Sequence, residues 1–308
     1  MKIVSLFSGA GGLDLGFIQA GHEIVWANDI DPDAGETYKK NIGDHIVLGD
    51  IKKIDSGDIP NCDMVIGGFP CQGFSVANTK RHEKDERNKL YMELLRVIKD
   101  KNPKYFLAEN VKGLLSIANG KVLSLILNDF DKVGYKVKYK VLNAADYGVP
   151  QHRQRVIIIG VRKDLKRNID FPSPTHTEAR RTLSYSLKPW VTVGRALGKI
   201  PDPDSGNKLP NHTYSKYKLA FNGYLGHRPI SPDKPAPTVT ARGDNEGGVV
   251  VLPHPNNKRR MSARELAFIQ SFPLEYEFYG SQSSVYRQIG NAVPPLLAQA
   301  IATEFPKI

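Results

Sequence analysis

Cysteine is almost absent from this chain of 308 residues, which carries only Cys62 and Cys71. Two thiols make neither a disulfide framework nor a zinc cluster, so no metal site is expected and a reducing compartment suits the chain. Long apolar runs are missing as well. Nothing approaches the ~18 residues of a membrane span, and the run Ile3-Val4-Ser5-Leu6-Phe7 is too short for the core of a signal peptide. A cytoplasmic protein without a membrane partner is expected. Internal repeats and low-complexity tracts are also absent. Acidic residues are in deficit, with 32 Asp and Glu against 43 Lys and Arg for a formal charge of +11. That balance suits a polyanionic partner, and over residues 175–261 it sharpens to 14 cations against 6 anions.

What is present, through residue 161, is an alternation of short apolar runs and helical patterns. Strands are expected at residues 3–7, 24–27, 46–48, 64–66, 105–108, 135–142 and 156–161. Helices are expected at 13–20 with Gly21 as a stop, at 32–41 opened by Pro32, at 89–101 and at 122–133. This is the pattern of an α/β fold, a doubly wound Rossmann-like sheet covered on both faces. From Phe171 the texture changes. Residues 172–255 hold 12 of the 21 prolines, yet Trp190, Tyr214, Phe221 and the run Val249-Val250-Val251-Leu252 supply apolar anchors that a linker lacks. We therefore expect residues 1–171 to form a catalytic and cofactor-binding domain, completed by 262–308, and residues 172–261 to form a small irregular domain. Ser262-Ala263-Arg264-Glu265 has the pattern of a capping box opening a helix through Gln270, and residues 294–304 read as a last helix returning to the first domain.

The first turn, Phe7-Ser8-Gly9-Ala10-Gly11-Gly12-Leu13, lets a ligand approach backbone at a helix N-terminus. It is not the dinucleotide fingerprint, because Asp14 stands where Gly would complete G-x-G-x-x-G. An acid near a phosphate is unhelpful, so a phosphate-free cofactor fits better. Asp29 and Asp50 end the next two strands, the first placed for ribose hydroxyls and the second for an adenine amino group, with Ile30 and Ile51 packing on the ring faces. S-adenosyl-L-methionine has the ribose and the adenine and lacks the phosphate.

A second shaped loop follows the fourth strand: Gly67-Gly68-Phe69-Pro70-Cys71-Gln72-Gly73-Phe74-Ser75. Glycines permit unusual backbone conformations there and Pro70 fixes a φ angle. A thiol at the carboxyl end of a buried strand faces the ligand crevice of an open α/β sheet, so Cys71 is the candidate nucleophile. Cys62, at the foot of the same strand, fits an inert core thiol.

These stretches, with Glu109-Asn110-Val111, Gln151-His152-Arg153-Gln154-Arg155, Arg264-Glu265 through Phe272-Pro273, and Gln288-Ile289-Gly290-Asn291-Ala292-Val293-Pro294, occur in the order found in the DNA (cytosine-5)-methyltransferases. The chain resembles that family, most closely its compact bacterial restriction-modification type. Asp29 stands where many members carry Glu, and Ile30 where several carry an aromatic residue. The resemblance implies methyl transfer from S-adenosyl-L-methionine to C5 of a flipped cytosine in a short duplex sequence, through a covalent Cys71–C6 intermediate. It implies that Glu109 holds the N3 edge of the base, and that Arg153 and Arg155 orient the base carbonyl and the carboxylate or contact the target-strand backbone, with Arg155 in the pocket. Phe69, Pro70, Leu90, Asn291 and Ala292 join the cofactor site by the same resemblance. Residues 172–261 become a target-recognition domain. Gln72 and Ser75 lie on a loop that closes over the base, Arg242 and Asn245 reach base edges, and Lys258, Arg259 and Arg260 meet phosphate or form a solvated basic face. A monomer acting on double-stranded DNA is expected, alongside a restriction endonuclease that uses the same site without stable contact. An RNA cytosine-5 methyltransferase and a catalytically silent DNA-binding protein are the competing readings. The long basic insert disfavours the first, and retention of Cys71, Glu109 and the cofactor acids disfavours the second.

Overall fold

The computed structural model describes residues 1–70, 89–178, 187–206, 208–215, 219–223, 227–241 and 250–307. Its centre is a seven-stranded sheet of β1 (Lys2–Leu6), β2 (Glu23–Asp29), β3 (Ile46–Leu48), β4 (Met64–Gly67), β5 (Tyr105–Val111), β6 (Tyr135–Asn143) and β7 (Gln154–Arg162), in the order β3-β2-β1-β4-β5-β7-β6. The strands form where the sequence places its apolar runs. Successive side chains of a strand point to opposite faces, and the two cores divide by parity. Ile3, Met64, Ile66, Tyr105, Leu107, Ile157 and Ile159 lie in one. Val4, Leu6, Val65, Phe106, Ala108, Val156 and Ile158 lie in the other. The first core is covered by α1 (Gly12–Gln19), α2 (Pro32–Asn41) and a C-terminal helix, through residues such as Phe17, Tyr38 and Leu297, and the second by α3 (Lys89–Lys101) and α4 (Lys121–Lys132), through Leu94, Ile98, Ile126 and Phe130.

One strand runs against the others. β7 is antiparallel to both β5 and β6. The ten residues between β6 and β7 hold only a short 3-10 turn at Ala144–Tyr147, and a parallel connection needs a crossover of a dozen or more residues. The reversal matters for function. It brings the start of β7 to the carboxyl edge of the parallel strands, with Arg155 opposite Val111.

The remaining helices are α5 (Val193–Leu197), α6 (Ala263–Ile269), α7 (Gln282–Asn291) and α8 (Pro295–Ala302). The capping box expected at Ser262 and Glu265 is formed in both directions. α8 returns to the first domain and packs on α1 around Gly16, where an added Cβ would lie 2.4 Å from the Ala298 Cβ and 2.6 Å from the Pro295 carbonyl oxygen. Backbone cannot yield there as a side chain can, so Gly16→Ala should cost about 1–3 kcal/mol despite alanine's better helix propensity. A denaturant midpoint equal to or above that of wild type would contradict this contact. Among the described residues of the insert from residue 172, the buried apolar ones do not form a core of their own. Val193, Leu197, Ile230, Val239, Val251 and Leu252 share a third cluster with Leu266, Ile269, Phe272, Val285 and Ile289 of the returning segment.

Candidate active site

Five parallel strands and the reversed β7 deliver candidate residues to one edge of the sheet. β4 ends at Gly67, and the chain runs through Gly68, Phe69 and an exposed Pro70. Cys71, Gln72 and Ser75 lie outside the described residues. The base of their loop is anchored, because the Asn110 side chain donates to the Phe69 carbonyl at 3.0 Å and accepts from its neighbour Val111 N–H at 2.8 Å. Asn110, the neighbour of Glu109, thus ties β5 to the chain two residues before Cys71. The Phe69 ring turns into the core beside Tyr91, with ring centroids 6.2 Å apart, so of Phe69 only the backbone borders the site.

Glu109 is buried in β5, and its Oε1 meets Arg155 Nε at 2.8 Å. Burial raises the carboxyl pKa, while Arg155 and, at longer range, Arg153 oppose that rise. Arg155 also donates from Nη1 to the Gln154 carbonyl. The second carboxyl oxygen is differently placed. Oε2 lies 3.0 Å from where a Cβ on Gly68 would stand, and among the described residues it has no hydrogen-bond partner. The pair therefore presents one oxygen held by a guanidinium and one oxygen turned toward the start of the Cys71 loop. A side chain at Gly68 would close that gap.

Arg153 departs from the base-contacting role expected of it. It is 1% exposed, and its guanidinium donates to the carbonyls of Val239 at 2.7 Å, Gly290 at 2.7 Å and Ala292 at 2.9 Å. Residues 153 and 155 share one face of the chain, yet only Arg155 stays at the strand edge. Arg153 passes into the junction of the insert with the closing segment. Gln151 works beside it, accepting from Val239 N–H and donating to Gln270, which in turn donates to the Ile289 carbonyl. Gln270 was not singled out in the sequence, and only its place two residues before Phe272-Pro273 hinted at it.

The glycine turn divides into a face that can meet a ligand and a face that packs. Phe7 and Gly9 keep exposed surface, whereas Ala10, Gly11, Gly12 and Leu13 are buried, and the Ser8 hydroxyl is spent on Ser5. A Cβ on Gly12 would lie 2.4 Å from the Val293 carbonyl oxygen, so the segment around Ala292 and Val293 packs on this loop. Phe7 itself has φ 55°, a left-handed conformation that costs a non-glycine residue on the order of 1 kcal/mol and concentrates at functional sites. Gly9 has φ 54° with open space where a Cβ would be, and its N–H donates to Asp29 Oδ2 at 2.7 Å. Asp29 Oδ1 accepts from Asp31 N–H at 2.9 Å, and burial raises its pKa. Each oxygen keeps a further lone pair. Ile30 is 67% exposed, an unusual position for a large apolar side chain. Ile51 is the contrary case: at 2% exposed it belongs to the core and offers no ring face to a ligand, a correction to the expected sandwich. Asp50 accepts from Lys52 N–H through Oδ1, a loop cap that leaves Oδ2 available. Leu90 is half-buried, Asn291 is exposed, and the Ala292 carbonyl is taken by Arg153.

Beneath this loop Asp14 is wholly buried, accepting from Ser5 Oγ at 2.7 Å and Tyr38 Oη at 2.8 Å. It points away from the ligand face, and burial pushes its pKa up to about 6. A raised carboxyl binds a proton in the folded state that the unfolded chain has released. Stability should therefore fall as pH rises from about 4 to about 6, by up to about 3 kcal/mol for the ~2-unit shift. Asp14→Asn should lose this segment of the profile. Parallel unfolding curves for the two proteins between pH 4 and 7 would refute it. Cys62 is half-buried, and burial pushes its thiol up to about 12, as an inert core thiol requires.

A sequence profile of C-5 cytosine-specific DNA methylases matches residues 1–307. The chain belongs to this family. Among curated relatives it is 44% identical to the type II methyltransferase M.NgoFVII of Neisseria gonorrhoeae, over 96% of this chain and 83% of that protein. It is 42% identical to the type II methyltransferase M.FnuDI of Fusobacterium nucleatum, over 98% and 93%. The crystal structure of the S. pombe Dnmt2 methyltransferase aligns with a TM-score of 0.65 at 20% identity, covering 98% of this chain and 97% of that one, a likeness of fold. The chain is a DNA cytosine-5 methyltransferase, and no helix among its described residues is long and apolar enough to cross a membrane.

In this methyltransferase only part of the run Lys258-Arg259-Arg260 is placed to meet phosphate or to form a solvated basic face. Arg259 is buried in a two-pronged pair with Glu265, both contacts at 2.8 Å, and lies over the Tyr214 ring. Arg260 is buried too and donates to the Val251 carbonyl. The Arg259 guanidinium is consumed in joining the insert to α6 and that of Arg260 bonds within the insert, and only Lys258 stays exposed. Arg242 and Asn245 lie outside the described residues. Arg264, fully buried, donates to the carbonyls of Pro210, Pro273 and Tyr276, a second tie between insert and helix that sequence pattern could not reveal.

Proposed function

We propose that this enzyme methylates C5 of a cytosine flipped out of a specific short duplex sequence, with Cys71 as nucleophile, Glu109 and Arg155 as the base-holding pair, and S-adenosyl-L-methionine as methyl donor. The observation that carries the reading is the Glu109 carboxyl, held on one oxygen by Arg155 and open on the other toward Gly68. The edge residues fit an adenosyl cofactor. Phe7 and Gly9 leave room against backbone, the Asp29 oxygens have lone pairs to spare for ribose hydroxyls, Asp50 keeps Oδ2, and exposed Ile30 offers an apolar face to an adenine. No cation belongs to that set, consistent with a cofactor without phosphate. When bound, the cofactor supplies an electrophilic methyl group.

Cytosine C5 is a poor nucleophile until the ring is activated. Attack of the Cys71 thiolate on C6 forms a C–S bond and moves an electron pair toward N3, where a proton shared from Glu109 offsets the charge. The raised pKa of Glu109 suits that donation. C5, now part of an enamine, takes the methyl group; loss of its proton and expulsion of the thiolate restore the ring. C6 is inaccessible inside a duplex, which requires flipping. Residues 172–261 act as the target-recognition domain, joined through Arg153 and Gln151 to the catalytic domain of 1–171 and 262–308, and Lys258 is retained as a phosphate contact. The family and the type II names of the relatives support a restriction-modification role in a bacterial cytoplasm, as a monomer sharing its recognition site with a nuclease. Methyl incorporation assayed on duplex DNA and on transfer RNA, followed by bisulfite sequencing of the duplex, tests the reading. Methylated cytosines within one short duplex sequence are expected, and incorporation into RNA alone would overturn it.

A further inference from the structure

A cavity of about 440 Å³ lies in the seam between the insert, the β6–β7 connection and the returning C-terminal segment, and Glu109 does not line it. Its floor is apolar, with half-buried Phe268 from α6 and Leu296 from the first turn of α8. Leu296 is 38% exposed although Leu297, Ala298 and Ile301 of the same helix are buried. Its rim is cationic: Lys188, Arg195 and Lys199 line it together with His176, and among the described residues no acidic side chain does. Among the described residues none of the three cations forms an ion pair or side-chain hydrogen bond. Some surface cations elsewhere are matched, as in Lys39 with Glu36, Lys40 with Glu277, Lys104 with Asp63 and Arg162 with Asp164; what distinguishes these three is that they converge on one hollow. Burial disfavours the His176 imidazolium, and the field of Lys188 and Arg195 adds to that effect while Asp146 opposes it.

Three unmatched cations around an apolar hollow of this size have the make-up of a small-molecule site, in which apolar walls bind the body of a ligand and a few polar groups fix its orientation. We propose that the cavity is a second ligand site, taking a phosphate ester with an aromatic or aliphatic body on Phe268 and Leu296 and its phosphate against Lys188, Arg195 and Lys199. The phosphate ester is either a free small molecule or part of a bound nucleic acid strand. Because the walls come from α8, which packs on α1, and from α5 of the insert, an occupant bridges the two parts of the enzyme. The inference does not depend on the methyl-transfer mechanism.

Phenyl phosphate is the probe, titrated into the full chain and followed by intrinsic fluorescence. Trp190 sits between lining residues Pro189 and Val191, whereas Trp26, the only other tryptophan, is in the core. A saturable change with a dissociation constant on the order of 0.1–1 mM is expected for so small a ligand. Arg195→Ala and Lys188→Ala should each weaken it at least about fivefold, and Leu296→Ser should weaken it through the floor; all three residues are exposed, so these variants should fold. Competition by a duplex assigns the phosphate to DNA, and persistence with saturating duplex assigns it to a free small molecule. The proposal is overturned by a response that does not saturate, one unchanged in the three variants, or one abolished by S-adenosylhomocysteine, which would place the probe at the other site.

Discussion

Cys71→Ser is expected to lower the turnover of methyl transfer by about 10⁴-fold or more while duplex binding stays within a few-fold of wild type. The hydroxyl is sterically close to the thiol, so the loop anchored through Asn110 and the Phe69 carbonyl should keep its shape. What is lost is chemical. An alkoxide is scarcely populated at neutral pH and is a poor leaving group in the elimination that ends the cycle, whereas a thiolate is both a strong nucleophile and readily expelled. The measurement is single-turnover methyl incorporation beside equilibrium duplex binding. Retained turnover would remove Cys71 from the mechanism, and a parallel loss of binding would make its role structural.

The second large effect is expected on folding. Arg153→Met leaves the Val239 and Gly290 carbonyls buried without their charged donor, and each orphaned acceptor costs about 1–3 kcal/mol. Removing a fully buried cation returns part of that sum, since burial holds the Arg153 guanidinium well below its usual pKa. A net loss of about 3 kcal/mol should appear as a lower denaturant midpoint with an unchanged slope. Function separates the two roles open to this arginine. A residue that positions the insert and the closing segment should raise KM for the duplex and for the cofactor while sparing kcat at saturation, because Val239 and Ala292 belong to those two segments. A large fall in kcat at saturation with KM unchanged would return Arg153 to the base pocket.

Much of this was visible in the chain. The strands were legible because both faces of the sheet are covered, which forces near-continuous apolar runs such as Met64-Val65-Ile66 and Val156-Ile157-Ile158-Ile159. The acids at strand ends were legible because an open α/β sheet puts its crevice there. Sequence could not show that β7 runs backwards, since direction is set by the connection, and it is this reversal that sets Arg155 beside Glu109. The resemblance put Arg155 in the pocket but left Arg153 the same range of roles, since the two share a face of the chain and differ in how far each lies from the edge. The run Lys258-Arg259-Arg260 misled for a related reason. Charge in a sequence says nothing of burial, and the partner of Arg259 is Glu265, recognised only as a helix cap. Ile51 shows the same limit in an apolar residue, identical in type to Ile30 and opposite in exposure.

A duplex carrying 5-fluorocytosine at the target position tests the central claim most directly, since fluorine at C5 blocks the proton loss that releases the enzyme. With S-adenosyl-L-methionine present, the account predicts a denaturation-resistant one-to-one adduct whose peptide map places the base on Cys71, and no adduct from Cys71→Ser. An absent adduct in the wild type, or one undiminished by the substitution, would contradict it.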